Sequence, residues 1–222
     1  MKTSFLGKSI YTIISISVLF IIFVFIGYYL LSPTKKLPIY NPADVNPKLV
    51  DASLKHIRSN HQIADFQLIN QNGDTITQHN YKNKIYIADF FFTRCQTICP
   101  IMSTNMGDLQ EYYKNDTTVM LLSHSVTPVI DSISVLRAYA DKRKILDSKW
   151  NLVTGDKKHI YELARKSYFA VLDEGDGGAQ DFIHTEQFIL VDQKRQIRGF
   201  YDGTSKEEIQ RIIKDIAILK KE

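Results

Sequence analysis

The only two cysteines in the chain, Cys95 and Cys99, stand four residues apart in Phe92-Thr93-Arg94-Cys95-Gln96-Thr97-Ile98-Cys99-Pro100. As thiolates they would attack disulfides or bind a soft metal ion, and as a pair they can close on each other. A structural disulfide or two inert buried thiols would use the same residues. The apolar run Ile85-Tyr86-Ile87-Ala88-Asp89-Phe90 before them reads as a strand, and Pro100 suits the first turn of a helix. Both sulfurs are therefore expected at a helix N-terminus, whose partial positive charge favours thiolate. Arg94 would lower a thiol pKa further, or simply sit in solvent or against a partner.

Six histidines are available as nitrogen donors. His56 and His61 lie in or beside a proline-rich stretch, His79 near a hairpin end and His159 in a surface helix, which suits ordinary structural roles. His184 stands at the mouth of the strand Gln187-Phe188-Ile189-Leu190-Val191, after the loop 172–183, whose glycines and acids read as a mobile, solvated connector. From there it can reach the edge of the sheet where other strands end. His124 follows a central strand at the same end and is expected either as hydrogen-bonded structure or as an auxiliary ligand or proton acceptor beside the thiols. Two thiolates and one imidazole would make a soft, open site. Structural zinc wants a fourth protein ligand and no third cysteine exists, so copper is the better candidate, as Cu(I) or Cu(II).

These residues need a scaffold and a compartment. Ile10 to Leu31 carries no charge and, at about 1.5 Å per residue, is roughly 33 Å long, enough to cross a bilayer. No small-residue cleavage site follows, so the segment reads as an uncleaved anchor behind a short tail, residues 1–9. Lys2 and Lys8 are nearly balanced by Lys35 and Lys36. The short tail is expected to stay in the cytoplasm, with the rest exported across a cell inner membrane to the periplasm. There a lone cysteine pair is either a bridge or part of redox or metal chemistry. Residues 32–60, with prolines at 33, 38, 42 and 47, read as a semi-extended stalk, and residues 61–222 as one domain.

Within that domain the pattern predicts a hairpin over 65–77 around Asn70-Gln71-Asn72-Gly73, a buried strand over 84–92 and a helix over 101–114. A strand over 117–122, a helix over 131–146, a short strand over 150–153 and an Asp156-capped helix from 157 to about 168 follow. A second hairpin over 186–192 and 196–201 and a Ser205-capped helix ending at Leu219 complete the chain. This order indicates an α/β domain, a mixed sheet with helices on both faces. The formal charge of +4 is modest and dispersed, without a basic patch interleaved with aromatics, which argues against nucleic-acid binding.

The Cys-x-x-x-Cys-Pro run, the distant Asp181-Phe182-Ile183-His184-Thr185, the opening Asp65-Phe66-Gln67-Leu68 and the anchor together resemble the Sco/SenC family. The resemblance implies a thioredoxin-like fold and membrane-anchored copper delivery to a cytochrome c oxidase subunit, with Cys95, Cys99 and His184 as copper ligands. It leaves open a second activity, a thiol-disulfide oxidoreductase in which Cys95 and Cys99 reduce the cysteines of the oxidase copper site. Peroxide reduction or redox sensing by one thiolate is a weaker possibility. Two positions depart from the family pattern. Ser123-His124-Ser125-Val126-Thr127-Pro128 lacks an acidic residue before proline, and Ile183 stands where Asp often precedes the histidine.

Overall fold

A computed structural model describes residues 4–31, 36–51, 53–171, 177–178 and 180–222. The chain divides into two compact units, Met1–Lys36 and Leu37–Glu222. In the first, helix α1 (Ser4–Leu31) contains the stretch Ile10–Tyr28, apolar and long enough to cross a bilayer, with none of it buried.

The second unit is built on a seven-stranded mixed sheet. Its strands are β1 (Gln67–Asn70), β2 (Thr75–Thr77), β3 (Ile85–Phe91), β4 (Val119–Ser125), β5 (Trp150–Thr154), β6 (Gln187–Val191) and β7 (Ile197–Asp202), in the order β2-β1-β5-β4-β3-β6-β7. β3, β4 and β5 are parallel, while β1 adds antiparallel to β5 and β6 antiparallel to β3. The helices are α2 (Ile98–Tyr113), α3 (Ile133–Arg143), α4 (Lys157–Glu162) and α5 (Lys206–Leu219). All seven residues of β3 are buried, which is why it reads as a continuous apolar run rather than an alternating one.

Side-chain alternation along β3 divides the core. Ile85, Ile87 and Phe91 face α2, α3 and α5, packing with Met102, Met106, Leu136 and Ile212. Tyr86, Ala88 and Phe90 face the other way, onto Tyr161, Leu163, Tyr168 and Phe169. The fold is thioredoxin-like, with the carboxyl ends of β3 and β4 free to carry functional loops.

Three local expectations change. α2 begins at Ile98, not residue 101, because Pro100 is accommodated within its first turn. The helix expected to run to about 168 is α-helical only to Glu162 and continues as a π turn over Leu163–Ser167. The stretch read as a stalk over 32–60 joins the second unit from Leu37 onward, residues 32–35 and 52 lying outside the described part. Its prolines open short 3-10 turns at Pro42–Asp44 and Pro47–Leu49. Leu37 and Val50 find apolar partners in the core, and Tyr40 bridges to Ile197. A proline-rich segment stays extended only where nothing offers to bury its apolar residues. Arg198 reinforces the attachment by donating to the carbonyls of Leu37 and Pro38, and Glu222 accepts the Leu37 N–H at 2.8 Å.

Candidate metal and thiol site

β3 lies between β4 and β6 and ends at Phe91; the six residues Phe92–Thr97 then lead into α2. Cys99 falls in the first helical turn with its side chain toward the core, 3% exposed. Cys95 precedes the helix and is half-buried. Its Sγ accepts the Cys99 N–H at 3.5 Å and lies 3.6 Å from the Thr97 hydroxyl. The first N–H groups of a helix have no partner within it, and Thr97 makes no side-chain cap, so the sulfur takes that place.

The two thiols consequently differ. Burial pushes Cys95 up, but hydrogen bonds from the Cys99 and Thr97 backbone, the Thr97 hydroxyl and the Cys99 thiol outweigh it and bring Cys95 down to about 6. Burial pushes Cys99 up to about 12, reinforced by the charges of Cys95 and Asp89. Cys95 is thus the thiol that ionises at neutral pH, while Cys99 stays protonated there and must give its proton to a base before its sulfur can react. Hydrogen bonds on the Cys95 sulfur and burial of Cys99 together produce this asymmetry, and Arg94 is exposed.

The loop itself is held by Asp131, which is fully buried. Its carboxylate accepts the Thr93 N–H at 3.2 Å and the hydroxyls of Thr93, Ser125 and Thr127 at 2.6, 2.6 and 3.0 Å. One side chain thereby ties the cysteine loop to the end of β4. Beneath Cys99, Asp89 is 3% exposed and held at about 7 by burial, against a hydrogen bond from Ser123. Ser123 in turn accepts the Trp150 indole N–H at 2.8 Å. Neither aspartate was singled out as a functional residue above. Asp89 is legible as an acid inside an apolar strand, whereas Asp131 depends on contacts far apart in sequence.

His124 is not beside the thiols. It is fully buried on the face opposite Cys99, stacked on Phe90 at 4.8 Å, with Nδ1 donating to the Asp89 carbonyl at 3.2 Å. Burial lowers its pKa to about 4, so it is a neutral packing element and neither a ligand nor a proton acceptor for Cys95 or Cys99. His61 is likewise structural, its Nε2 2.8 Å from the Ser167 carbonyl and its ring 4.6 Å from Phe169.

His184 reaches the expected end of the sheet. β6 is antiparallel to β3, pairing Ile189 with Ala88, so the residues preceding Gln187 lie at the level of the cysteine loop. The segment is pinned on both sides of the imidazole. Asp181 makes a bidentate pair with Arg165, both N–H···O distances 2.7 Å and both side chains under 10% exposed. The Tyr161 hydroxyl accepts from Ile183 N–H at 3.4 Å and donates to the Val126 carbonyl at 2.9 Å, while Thr185 donates to the Ala170 carbonyl. The solvated connector expected over 172–183 is thus a fixed segment at its end; residues 172–176 and 179 lie outside the described part. Phe182 meets Phe92 edge-on with ring centroids 5.1 Å apart, joining the two halves of the site. The imidazole of His184 is exposed, and among the described residues no three His, Cys, Asp or Glu side chains form a ligand cluster. The structure therefore brings the thiols together and the His184 segment alongside them, with the third donor outside ligating position.

Comparison with known proteins agrees with this architecture. The SCO1/SenC family model matches residues 55–220. A SCO1/SenC family lipoprotein from Bacillus anthracis str. Ames is 34% identical, with a TM-score of 0.64 over 72% of this chain and 96% of that one. BsSco, a member of the Sco family of cytochrome c oxidase assembly proteins in which a disulfide switch was identified, is 31% identical, with a TM-score of 0.62 over 72% and 94%. At the level of fold alone, copper-bound ScoI of Bradyrhizobium japonicum is similar with 22% identity and a TM-score of 0.56 over 73% and 99%. With a family match that spans most of the Leu37–Glu222 unit and includes both cysteines and His184, this chain belongs to the SCO1/SenC family.

Proposed function

We propose that the protein is a copper metallochaperone, anchored in a cell inner membrane by α1 with the Leu37–Glu222 unit in the periplasm, that delivers copper to a cytochrome c oxidase subunit. Copper is the cargo, and Cys95, Cys99 and His184 are its ligands. The observation that carries this reading is the pairing of an acidified thiol at about 6 with a second thiol in hydrogen-bond contact, beside a segment bearing an exposed imidazole. Soft sulfur donors suit Cu(I), and an added imidazole suits Cu(II). A donor set with one member free to come and go also lets the ion leave. Family membership supports the same cargo.

Titration of the reduced full-length chain tests the reading. One copper ion per chain is expected, with Cys95→Ala and Cys99→Ala abolishing tight binding. Copper binding that survives either substitution undiminished refutes it. Cells lacking the protein should lose oxidase activity and regain it on copper supplementation.

The thiol asymmetry favours a second activity of the same residues. Cys95 as attacking thiolate and Cys99 as the protected resolving thiol are the requirements of disulfide exchange, and BsSco carries a disulfide switch. Exchange would not need His184. Partner reduction that persists in His184→Ala and fails in Cys95→Ala would separate it from copper delivery.

A further inference from the structure

Besides the ring contact of Phe92 with Phe182, the two halves of the site share a hydrogen-bonded path. It starts at Phe91, the last residue of β3, whose carbonyl accepts the Val126 N–H at 2.9 Å. The Val126 carbonyl accepts the Tyr161 hydroxyl at 2.9 Å, and the oxygen of that hydroxyl accepts the Ile183 N–H at 3.4 Å. The Ile183 contact is long, but the hydroxyl also lies 3.2 Å from the Asp181 carbonyl, so it meets this segment at two backbone atoms. Phe91 immediately precedes the cysteine loop and Ile183 immediately precedes His184. The path therefore runs from the root of that loop to the residue before the imidazole. The Asp131 carboxylate, which holds the loop through Thr93, Ser125 and Thr127, takes no part in it.

The hydroxyl at the centre of the path has little freedom. Tyr161 is buried, and its ring carries the Lys157 ammonium 4.9 Å and the Arg165 guanidinium 5.3 Å from its centroid. These cations, four residues to either side of Tyr161, also grip Asp181, Lys157 at its carbonyl and Arg165 at its carboxylate. The partners that orient the ring are thus the ones that fix the approach to His184. A buried backbone N–H that loses its acceptor is costly, so the contact with Ile183 is not readily traded for water.

We infer that Tyr161 is a positioning residue: its hydroxyl fixes the span bearing His184 against the end of β4, and so sets the distance that the imidazole has to close to join the sulfurs on a copper ion. This role rests on the reading of His184 as the third copper ligand and adds to it the group that places it. Phenylalanine would fill the same space, so the role belongs to the oxygen.

Tyr161→Phe, alone and combined with His184→Ala, tests it in the full-length chain in detergent micelles. In the copper-free chain, amide hydrogen exchange at residues 182–185 should become about tenfold faster, with residues 92–97 unchanged. Tyr161→Phe should bind Cu(II) roughly fivefold more weakly than the parent, the scale of one hydrogen bond lost from an ordered state. In the His184→Ala background the same substitution should alter copper affinity by less than about 1.5-fold, because the hydroxyl acts only through the imidazole. The rate of Cys95 alkylation should match the parent in both backgrounds.

A tyrosine that merely stabilised the fold would weaken copper binding equally with and without His184, and that result would overturn the inference. So would full affinity in Tyr161→Phe while His184→Ala binds weakly, or unchanged exchange at residues 182–185. If His184→Ala leaves copper binding untouched while Tyr161→Phe still frees residues 182–185, the ligand reading of His184 fails and the hold of Tyr161 on the span stands.

Discussion

The two halves of the site are built differently. The thiol half is assembled in advance: Asp131 holds Thr93 and the end of β4, the start of α2 donates to Cys95, and Cys99 is sealed into the core. The imidazole half is a segment fastened before and after His184, at Asp181 and Thr185, while the imidazole itself stays in water. One half is held by hydrogen bonds and burial up to its sulfurs, and the other is held on either side of an exposed imidazole. On the proposed reading, in which Cys95, Cys99 and His184 hold a copper ion in transit, that contrast would let the ion be captured and surrendered by movement of the third ligand alone.

The strongest way to break the contrast is at the fastening of the imidazole half. Arg165→Ala leaves the buried Asp181 carboxylate unpaired, which should cost about 3–5 kcal/mol in urea unfolding. A loss below about 1 kcal/mol would mean that the segment is anchored elsewhere. Asp181 is held below its ordinary value of 3.8, by the hydrogen bonds from Arg165 first. Its contribution is therefore complete above that value and is lost as pH falls through the lower folded value.

The thiol half is broken at Asp131. Asp131→Ala removes the acceptor of the half-buried Thr93 N–H and of the Thr93, Ser125 and Thr127 hydroxyls, of which Ser125 is buried, and should destabilise by roughly 3 kcal/mol, with faster hydrogen exchange at residues 92–97. Exchange that rises equally around 181–186 would show the halves to be coupled rather than separate. Asp89 acts in the opposite sense. Burial raises its pKa to about 7, so the folded state binds its proton more tightly than the unfolded one. Stability from this group is full below the unfolded value near 3.8 and declines as pH rises toward 7, and Asp89→Asn should flatten that decline by a few kcal/mol at pH 8.

A smaller effect sharpens the comparison within the thiol half. Alkylation by iodoacetamide should reach half its maximal rate near pH 6 at Cys95, while Cys99 stays protected through neutral pH. Equal modification of both thiols at pH 7 contradicts the asymmetry.

Much of this scaffold could be read from the chain before its structure. The buried strand before Cys95, the hairpins at each side of the sheet and the capped helices follow from apolar periodicity and turn residues, and they occur within a few positions of where they are expected. What escaped prediction depends on strand parity and distant partners. Ser123 and His124 follow Leu121 and Leu122, two buried leucines in succession, so no alternation announces which of the next two side chains faces α2. That is why His124 could be placed near the thiols and is instead found on the opposite face. Asp131 and Arg165 are ordinary helix-flanking and helical charges until Thr93 and Asp181, 38 and 16 residues away, are brought to them. The docking of Leu37 and Tyr40 similarly required the position of β7 and the chain's last residue.

The most direct test of the account is the spectrum of the copper-loaded, reduced chain compared with that of His184→Ala. An exposed side chain should change folding stability by less than about 0.5 kcal/mol, so any difference reports on the metal. The account predicts that the variant keeps its sulfur-to-copper absorption, loses one nitrogen donor in electron paramagnetic resonance of Cu(II), and binds copper at least tenfold more weakly. An unchanged nitrogen signal and unchanged affinity would remove His184 from the site and leave a dithiol with no imidazole half.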